Sequence, residues 1–176
     1  MLLIAMLSQG SELEQENAIR LIKIELSEVA FEKEYKKFLK YKRQIDELNK
    51  YSVNAYSKNK STRFKILDGL SKIQKDSKSI IISQYQLNQT LKYVSIKDSV
   101  KFTKYAKPSI DYLRINYLCD GFLFSGDYEE KVEGNKVKAL KTYEQGLRVC
   151  KVKWKQFELK GRIGQVKYRL SKRNAE

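Results

Sequence analysis

The sequence predicts an all-α protein: an elongated bundle of four or five helices, two or three of them long. Three observations carry that prediction. From Asn135 to Lys172 apolar residues recur in alternating steps of three and four, at Leu140, Tyr143, Leu147, Cys150, Trp154 and Phe157. That spacing keeps side chains on one helix face. From Ser11 to Ser57 a similar pattern runs with neither Gly nor Pro to interrupt it. A third seam passes through Ile66, Leu70, Ile73, Ser77, Ile80, Gln84, Leu87, Leu91 and Val94.

Taken in order, Ser11-Glu12-Leu13-Glu14 has the form of a capping box, with a hydroxyl at the N-cap and a carboxylate three residues on. The helix it opens is expected to reach Ser57. Its apolar positions are Ile19, Ile22, Leu26 and Val29, then Phe31, Phe38, Tyr41, Ile45 and Leu48. Pairs such as Glu32–Lys36 lie on its outside. Residues 57–62 read as a polar turn. The second long helix follows, and Ser77 and Gln84 are polar insertions in its seam that need partners if buried. Residues 95–119 are less regular and aromatic, with Phe102, Tyr105, Tyr112 and Tyr117. Pro108, the only proline, fits the first turn of a short helix through Leu118. Residues 120–135 hold three glycines and read as a loop or small hairpin. Asp127, Glu129, Glu130 and Glu133 within them read as a solvated first helical turn.

Gly134-Asn135 marks the start of the last helix, because Asn is a good N-cap. Unbroken, that helix would run about 55 Å. A second seam, Val152, Leu159, Ile163, Val166 and Leu170, lies beside the first. Gly161, Gly164 and Tyr168 continue the first seam, so the two glycines are expected in the buried stripe. Leu70, Ile73, Leu140 and Leu147 are candidate core residues. The whole chain, residues 1–176, reads as a single helical domain.

The net charge is +15, from 36 Lys plus Arg against 21 Asp plus Glu. It is unevenly spread. Residues 1–50 balance nine basic groups with nine acidic ones, whereas residues 151–173 carry nine basic groups and one Glu. A basic stretch of this kind meets nucleic acid, anionic lipid or an acidic protein, or simply solubilises a Lys-rich chain. No apolar run is long enough for an ordinary membrane span. The apolar stretch 1–7, followed by Ser8-Gln9-Gly10, looks like the end of a signal peptide cleaved before Ser11, although the basic segment that normally precedes the apolar core is missing. It leans the reading towards an extracytoplasmic protein, secreted or periplasmic.

The chemistry is narrow. The chain has no histidine, which removes the commonest general base and metal ligand. Two distant cysteines do not make a zinc site. Gly121-Phe-Leu-Phe-Ser-Gly126 has the first spacing of a phosphate-binding loop, but Asp127 and Tyr128 stand where Lys and Ser or Thr are required. No catalytic residue, metal ligand or cofactor site emerges, and the chain reads as a non-enzyme. Gly161-Arg-Ile-Gly164 resembles the GXXG loop of KH domains. Only these four residues carry that resemblance, and the further helix and strand of a KH domain have no room in the 12 residues that follow. Asn59-Lys-Ser61 and Asn88-Gln-Thr90 match the glycosylation acceptor pattern.

Cys119 and Cys150 are 31 positions apart, with their midpoint at Gly134-Asn135. A reversal there sets them at similar height on opposite limbs, so they are candidates for a disulfide. The alternative is two buried thiols. The expected function is that of a non-catalytic interaction or structural protein working through long helix faces, with a protein partner or copies of itself. The alternative is a nucleic-acid-binding component, of a particle or a ribosome-associated kind. It would use residues 151–173, with Lys151, Lys153, Lys155, Lys160, Arg162, Lys167 and Arg169 at phosphates and aromatics between them. A membrane surface is the third class of partner. Against the nucleic-acid alternative, the seam positions of Trp154 and Phe157 point to core packing rather than base stacking.

Overall fold

The computed structural model describes residues 2–50 and 60–173, with side chains described at 12–50 and 61–172. Among the described residues all regular secondary structure is helical. The described helices are nine and shorter than the sequence predicts, the longest of them being 24 residues. They fall into two compact units, Met1–Val94 and Ser95–Glu176, where the sequence reading draws one domain.

The first unit holds α1 (Leu2–Glu25), α2 (Glu28–Lys50), α3 (Lys60–Ser77) and α4 (Ile80–Tyr93). α1 passes through Gly10 and Ser11 without a break, so Ser11 is not its cap. The expected helix to Ser57 is instead interrupted at Leu26-Ser27. There the Ser27 hydroxyl accepts from the Ala30 amide (3.4 Å) and its carbonyl from the Phe31 amide (2.8 Å), which starts a new helix. The interruption lets α2 fold back on α1, and Ala18 and Ile22 of α1 and Phe38 and Ile45 of α2 are buried. Gln15 bonds to Asp46 across the pair (3.1 Å). The predicted end of this helix at Ser57 and the first half of the polar turn, residues 57–59, lie outside the described residues; Lys60 to Thr62, expected in the turn, are helical.

The second long helix is also split. Lys78 takes φ +44°, and Ser79 caps α4 with its hydroxyl on the Ile82 amide. The break is held from α2. A Glu34 carboxylate oxygen accepts from the Ile80 amide (2.7 Å) at the positive end of α4. Lys37 donates both to Glu34 (2.7 Å) and to the Lys78 carbonyl (3.2 Å). α4 packs against α1, α2 and α3 and is buried almost all round, from Ile80 through Leu87 and again at Gln89 and Thr90. Several of its polar groups find partners inside the unit. Gln86 bonds to Ser71 (2.8 Å), Ser83 to Gln74 (3.2 Å) and Tyr85 to Asn49 (2.9 Å), and Gln89 to Glu14. Leu70 and Ile73 are buried as expected.

The second unit holds α5 (Ser99–Tyr105), α6 (Lys107–Ile115), α7 (Cys119–Lys131), α8 (Lys136–Val149) and α9 (Lys153–Arg173). Pro108 sits in the first turn of α6. Residues 120–131, expected to be a loop, form most of α7. Its glycines are packing sites: a Cβ on Gly121 would fall 2.2 Å from the Arg114 amide nitrogen, and one on Gly126 would fall 2.3 Å from the Tyr143 ring. Where the side chain is missing, α6 and α8 come close. Gly134 turns the chain with φ +69°, and Asn135 caps α8, its side chain accepting from the Lys138 amide (2.9 Å).

The predicted single helix from Asn135 to Lys172 is broken at Cys150, whose backbone is extended at the C-cap of α8. The chain reverses there, and α9 packs on α8 and α7. The core of this hairpin triplet is Cys119, Leu123, Ala139, Tyr143, Cys150, Val152, Leu159 and Val166, with Leu140, Leu147, Ile163 and Leu170 partly buried against it.

Candidate functional site

The α7–α8 hairpin fixes the geometry on which α9 rests. Gly126 meets Tyr143, and Phe122 meets Gly146. One turn further on, Cys119 and Cys150 have their Cα atoms 5.0 Å apart and their sulfurs at 2.05 Å, the arrangement of a disulfide. Both sit at helix ends, Cys119 as the first residue of α7 and Cys150 as the cap of α8. The pairing expected from the Gly134-Asn135 midpoint is therefore the one that the backbone presents. The limb carrying Cys119 is a helix rather than the expected loop or small hairpin.

α9 has two unlike faces. Its inner face carries Leu159 and Val166, fully buried, and three cations spaced by seven: Lys155, Arg162 and Arg169. These meet carboxylates of α7 in the same order along the chain. Lys155 Nζ lies 2.5 Å from Asp120 Oδ1, Arg162 Nε lies 3.0 Å from Asp127 Oδ1, and Arg169 pairs with Glu130. Lys167 pairs with Glu144 of α8 at 3.1 Å. Of the acidic cluster read as a solvated helical turn, Asp127, Glu129 and Glu130 lie in the second half of α7 and are buried, while Glu133 lies beyond its end and is exposed. Asp127 also accepts from the Tyr143 hydroxyl (2.7 Å). Burial, and then the Asp127 charge, push the Tyr143 hydroxyl well above the usual tyrosine range. Glu129 receives Arg114 of α6 (3.2 Å), and Lys138 lies between Glu129 (3.7 Å) and Glu133 (2.8 Å). The Glu133 contact holds the Lys138 ammonium above its ordinary value.

The outer face is aromatic and open. Trp154, Phe157 and Tyr168, expected in the core, are 46%, 72% and 60% exposed. The seam that points inward is the second one, through Val152, Leu159 and Val166. Gly161 and Gly164 lie between Phe157 and Tyr168 on the outer face; a Cβ on either would have nothing within 4 Å. They sit inside α9, so the four residues do not form a GXXG loop.

Cations border this aromatic row. The Lys160 ammonium lies 5.8 Å from the Phe157 ring centroid and that of Lys172 lies 5.1 Å from Tyr168, both within cation–π range. The Lys155 ammonium lies 4.1 Å from the Trp154 centroid. Of the seven cations assigned to an anionic contact, four (Lys155, Arg162, Lys167 and Arg169) are directed to carboxylates of α7 and α8. Lys151, Lys153 and Lys160 are exposed and make no ion pair among the described residues. The signal for this division in the sequence is the match of spacing between two helices, since the seven-residue repeat of cations alone is shared by Lys153 and Lys160. Lys155, Arg162 and Arg169 repeat every seven residues, as Asp120 and Asp127 do.

Among the described residues no group of three or more Cys, Asp or Glu is placed to hold a metal ion, and no helix is long and apolar enough to cross a membrane. Asn88 lies within α4 with Thr90 buried; Asn59 is outside the described residues. No protein-family model matches the chain, and no match is found among curated proteins or among solved structures.

Proposed function

We propose that this chain is a non-catalytic interaction protein that binds a protein partner through the outer face of α9. The observation that supports this reading is the exposure of Trp154, Phe157 and Tyr168 in one row on a helix whose inner face is fully engaged. Aromatic residues of this kind dominate interface energetics, because they bury large area at little entropic cost. The inner ladder of ion pairs fixes the helix that presents them.

A selection from a helical-peptide display library tests the reading, with the triple variant Trp154→Ala, Phe157→Ala, Tyr168→Ala as counter-target. Peptides that bind the chain and not the variant are the expected result. If selection yields none while circular dichroism shows both proteins folded, the reading fails.

Nucleic-acid binding is the second reading, supported by Lys151, Lys153 and Lys160 around Trp154 and Phe157. It is weaker because Arg162 and Arg169, the residues best suited to phosphate, face the chain's own carboxylates. Binding of oligo(dT) whose affinity falls steeply with salt, and which the triple variant loses, is the result that would favour it.

A further inference from the structure

Taking the outer face of α9 as a protein-docking face, we propose that its partner is an acidic amphipathic helix seated over Gly161 and Gly164. The charge of the face argues for an acidic occupant. Lys153 and Lys160, seven residues apart, line one edge of the aromatic row, and Lys172 stands at the other; all three are exposed and make no ion pair among the described residues. The one carboxylate on the outward side, Glu158, lies at the margin and is paired with Lys155 (3.4 Å). A second copy of this chain would bring the same lysines against these, so like charges would oppose a self-dimer through this face.

The shape of the face argues for a helix. Elsewhere in the second unit the helical glycines are accounted for by neighbours: at Gly121, Gly126 and Gly146 an added Cβ would fall 2.2–2.6 Å from another residue. At Gly161 and Gly164 nothing inside the chain requires the missing side chain. The two form a gap in the outward ridge. Phe157 stands one turn before it and Tyr168 one turn after it, so the gap is bracketed by rings. Helix axes normally pack about 8–10 Å apart, with the distance set by the side chains at the crossing. A crossing centred on two glycines allows the short end of that range while both rings grip the partner's apolar stripe. From Trp154 to Tyr168 the row extends about 21 Å, which matches about four turns of a partner helix. That partner would carry Asp or Glu along both borders of its apolar stripe, one border facing Lys153 and Lys160 and the other Lys172. This is recognition of an amphipathic helix by its apolar anchors, with charge setting orientation.

The test uses the intact chain and a display library of amphipathic helical peptides whose stripe borders are randomised among Glu, Gln and Lys. Binding of the recovered peptides is read from the emission of Trp154, the only tryptophan in the chain. Recovery of Glu-bordered peptides that shift this emission is expected. Their affinity should fall about tenfold or more in the Phe157→Ala, Tyr168→Ala variant, and similarly in the Gly161→Leu, Gly164→Leu variant, which closes the gap. Leucine favours the helix more than glycine does, so the second variant keeps its fold, and an unchanged far-ultraviolet spectrum checks that. Recovery of Gln- or Lys-bordered peptides whose binding still depends on the aromatics overturns the acidic partner and leaves the α9 face as a protein interface. Unchanged affinity in the leucine variant overturns the seating over the glycines. Recovery of no aromatic-dependent peptide overturns both the partner and the interface. A shift of Trp154 emission by oligo(dT) or by phosphatidylserine vesicles in place of any peptide also overturns both.

Discussion

Lys155, in the first turn of α9, reaches Asp120 in the first turn of α7 with Nζ 2.5 Å from Oδ1, and both side chains are buried. The pair ties the start of α9 to the end of the α7–α8 hairpin where Cys119 and Cys150 meet. Removing one partner leaves a buried charge without its counter-ion. Lys155→Ala should therefore cost the second unit about 3–5 kcal/mol. Replacing both, as Lys155→Met with Asp120→Leu, should recover most of that loss, because an apolar pair of similar size needs no desolvation of charge. Urea unfolding followed by Trp154 emission measures both. A loss under about 1 kcal/mol for Lys155→Ala would mean that the apolar contacts of Leu159 and Val166 hold α9 alone.

Periodicity made the helices legible but not their ends. The slip from Val29 to Phe31 in the first seam marked the break at Ser27, and Val29 is 81% exposed as a result. The break at Lys78 had no comparable mark, since positive φ on a lysine is not encoded by residue type. α7 was read as a loop because glycines that permit close helix packing look the same in sequence as glycines that permit turns. The orientation of α9 was the costliest loss. Carrying one seam across Cys150 assumed a continuous helix, whereas the chain reverses there and the phase starts afresh at Val152. Trp154 and Phe157, the larger apolar residues, then looked internal although Val152, Leu159 and Val166 are the buried set. The approach of Cys119 to Cys150 is legible in the sequence because it depends only on where the hairpin turns, and Gly134-Asn135 is an unambiguous turn and cap.

The chain isolated without reductant should carry the Cys119–Cys150 bond. Intact mass after alkylation should show no modified thiol before reduction and two after it. In the chain-entropy account, closing a loop over a separation of 31 residues contributes about 3–4 kcal/mol, so reduction should lower the stability of the second unit by that order. Two alkylated thiols in freshly isolated, unreduced protein would show that the bond does not form and would remove its contribution to stability.

Tyr143 predicts how the second unit responds to alkali. Burial and then Asp127 raise its folded-state value above the ordinary one near 10. The stabilising contribution of the neutral hydroxyl is therefore complete below about pH 10 and is lost as pH rises above it. Stability should fall by up to about 1.4 kcal/mol per pH unit in that range from this residue alone. Tyr143→Phe removes the ionisation together with the bond to Asp127. It should be less stable than the wild type near neutrality, by about 1.5–3 kcal/mol, yet lose stability more gradually in alkali. Trp154-detected unfolding at several pH values gives both slopes, and equal slopes would show that Tyr143 does not govern the alkaline limb. Tyr85 is raised in the same sense, first by burial, and should produce the same behaviour in the first unit.

The glycines of the second unit should respond to alanine with opposite signs. At Gly126 the new methyl would stand 2.3 Å from the Tyr143 ring, which is itself buried and bonded to Asp127. Displacing the ring would strain that bond, so Gly126→Ala should cost about 1–3 kcal/mol through overpacking. At Gly161 and Gly164 the methyl meets nothing within 4 Å, and both positions lie inside an exposed helix face. There alanine is expected to stabilise by up to about 1 kcal/mol each, because glycine in a helix interior is the more entropically costly residue. Urea midpoints of the three single variants decide the matter at constant denaturant dependence. If Gly161→Ala and Gly164→Ala stabilise the chain while weakening peptide binding to α9, the glycines are retained at the expense of stability for something outside the chain. If either destabilises it, the outer face is not open at that position, and the docking surface proposed for α9 is wrong in its shape.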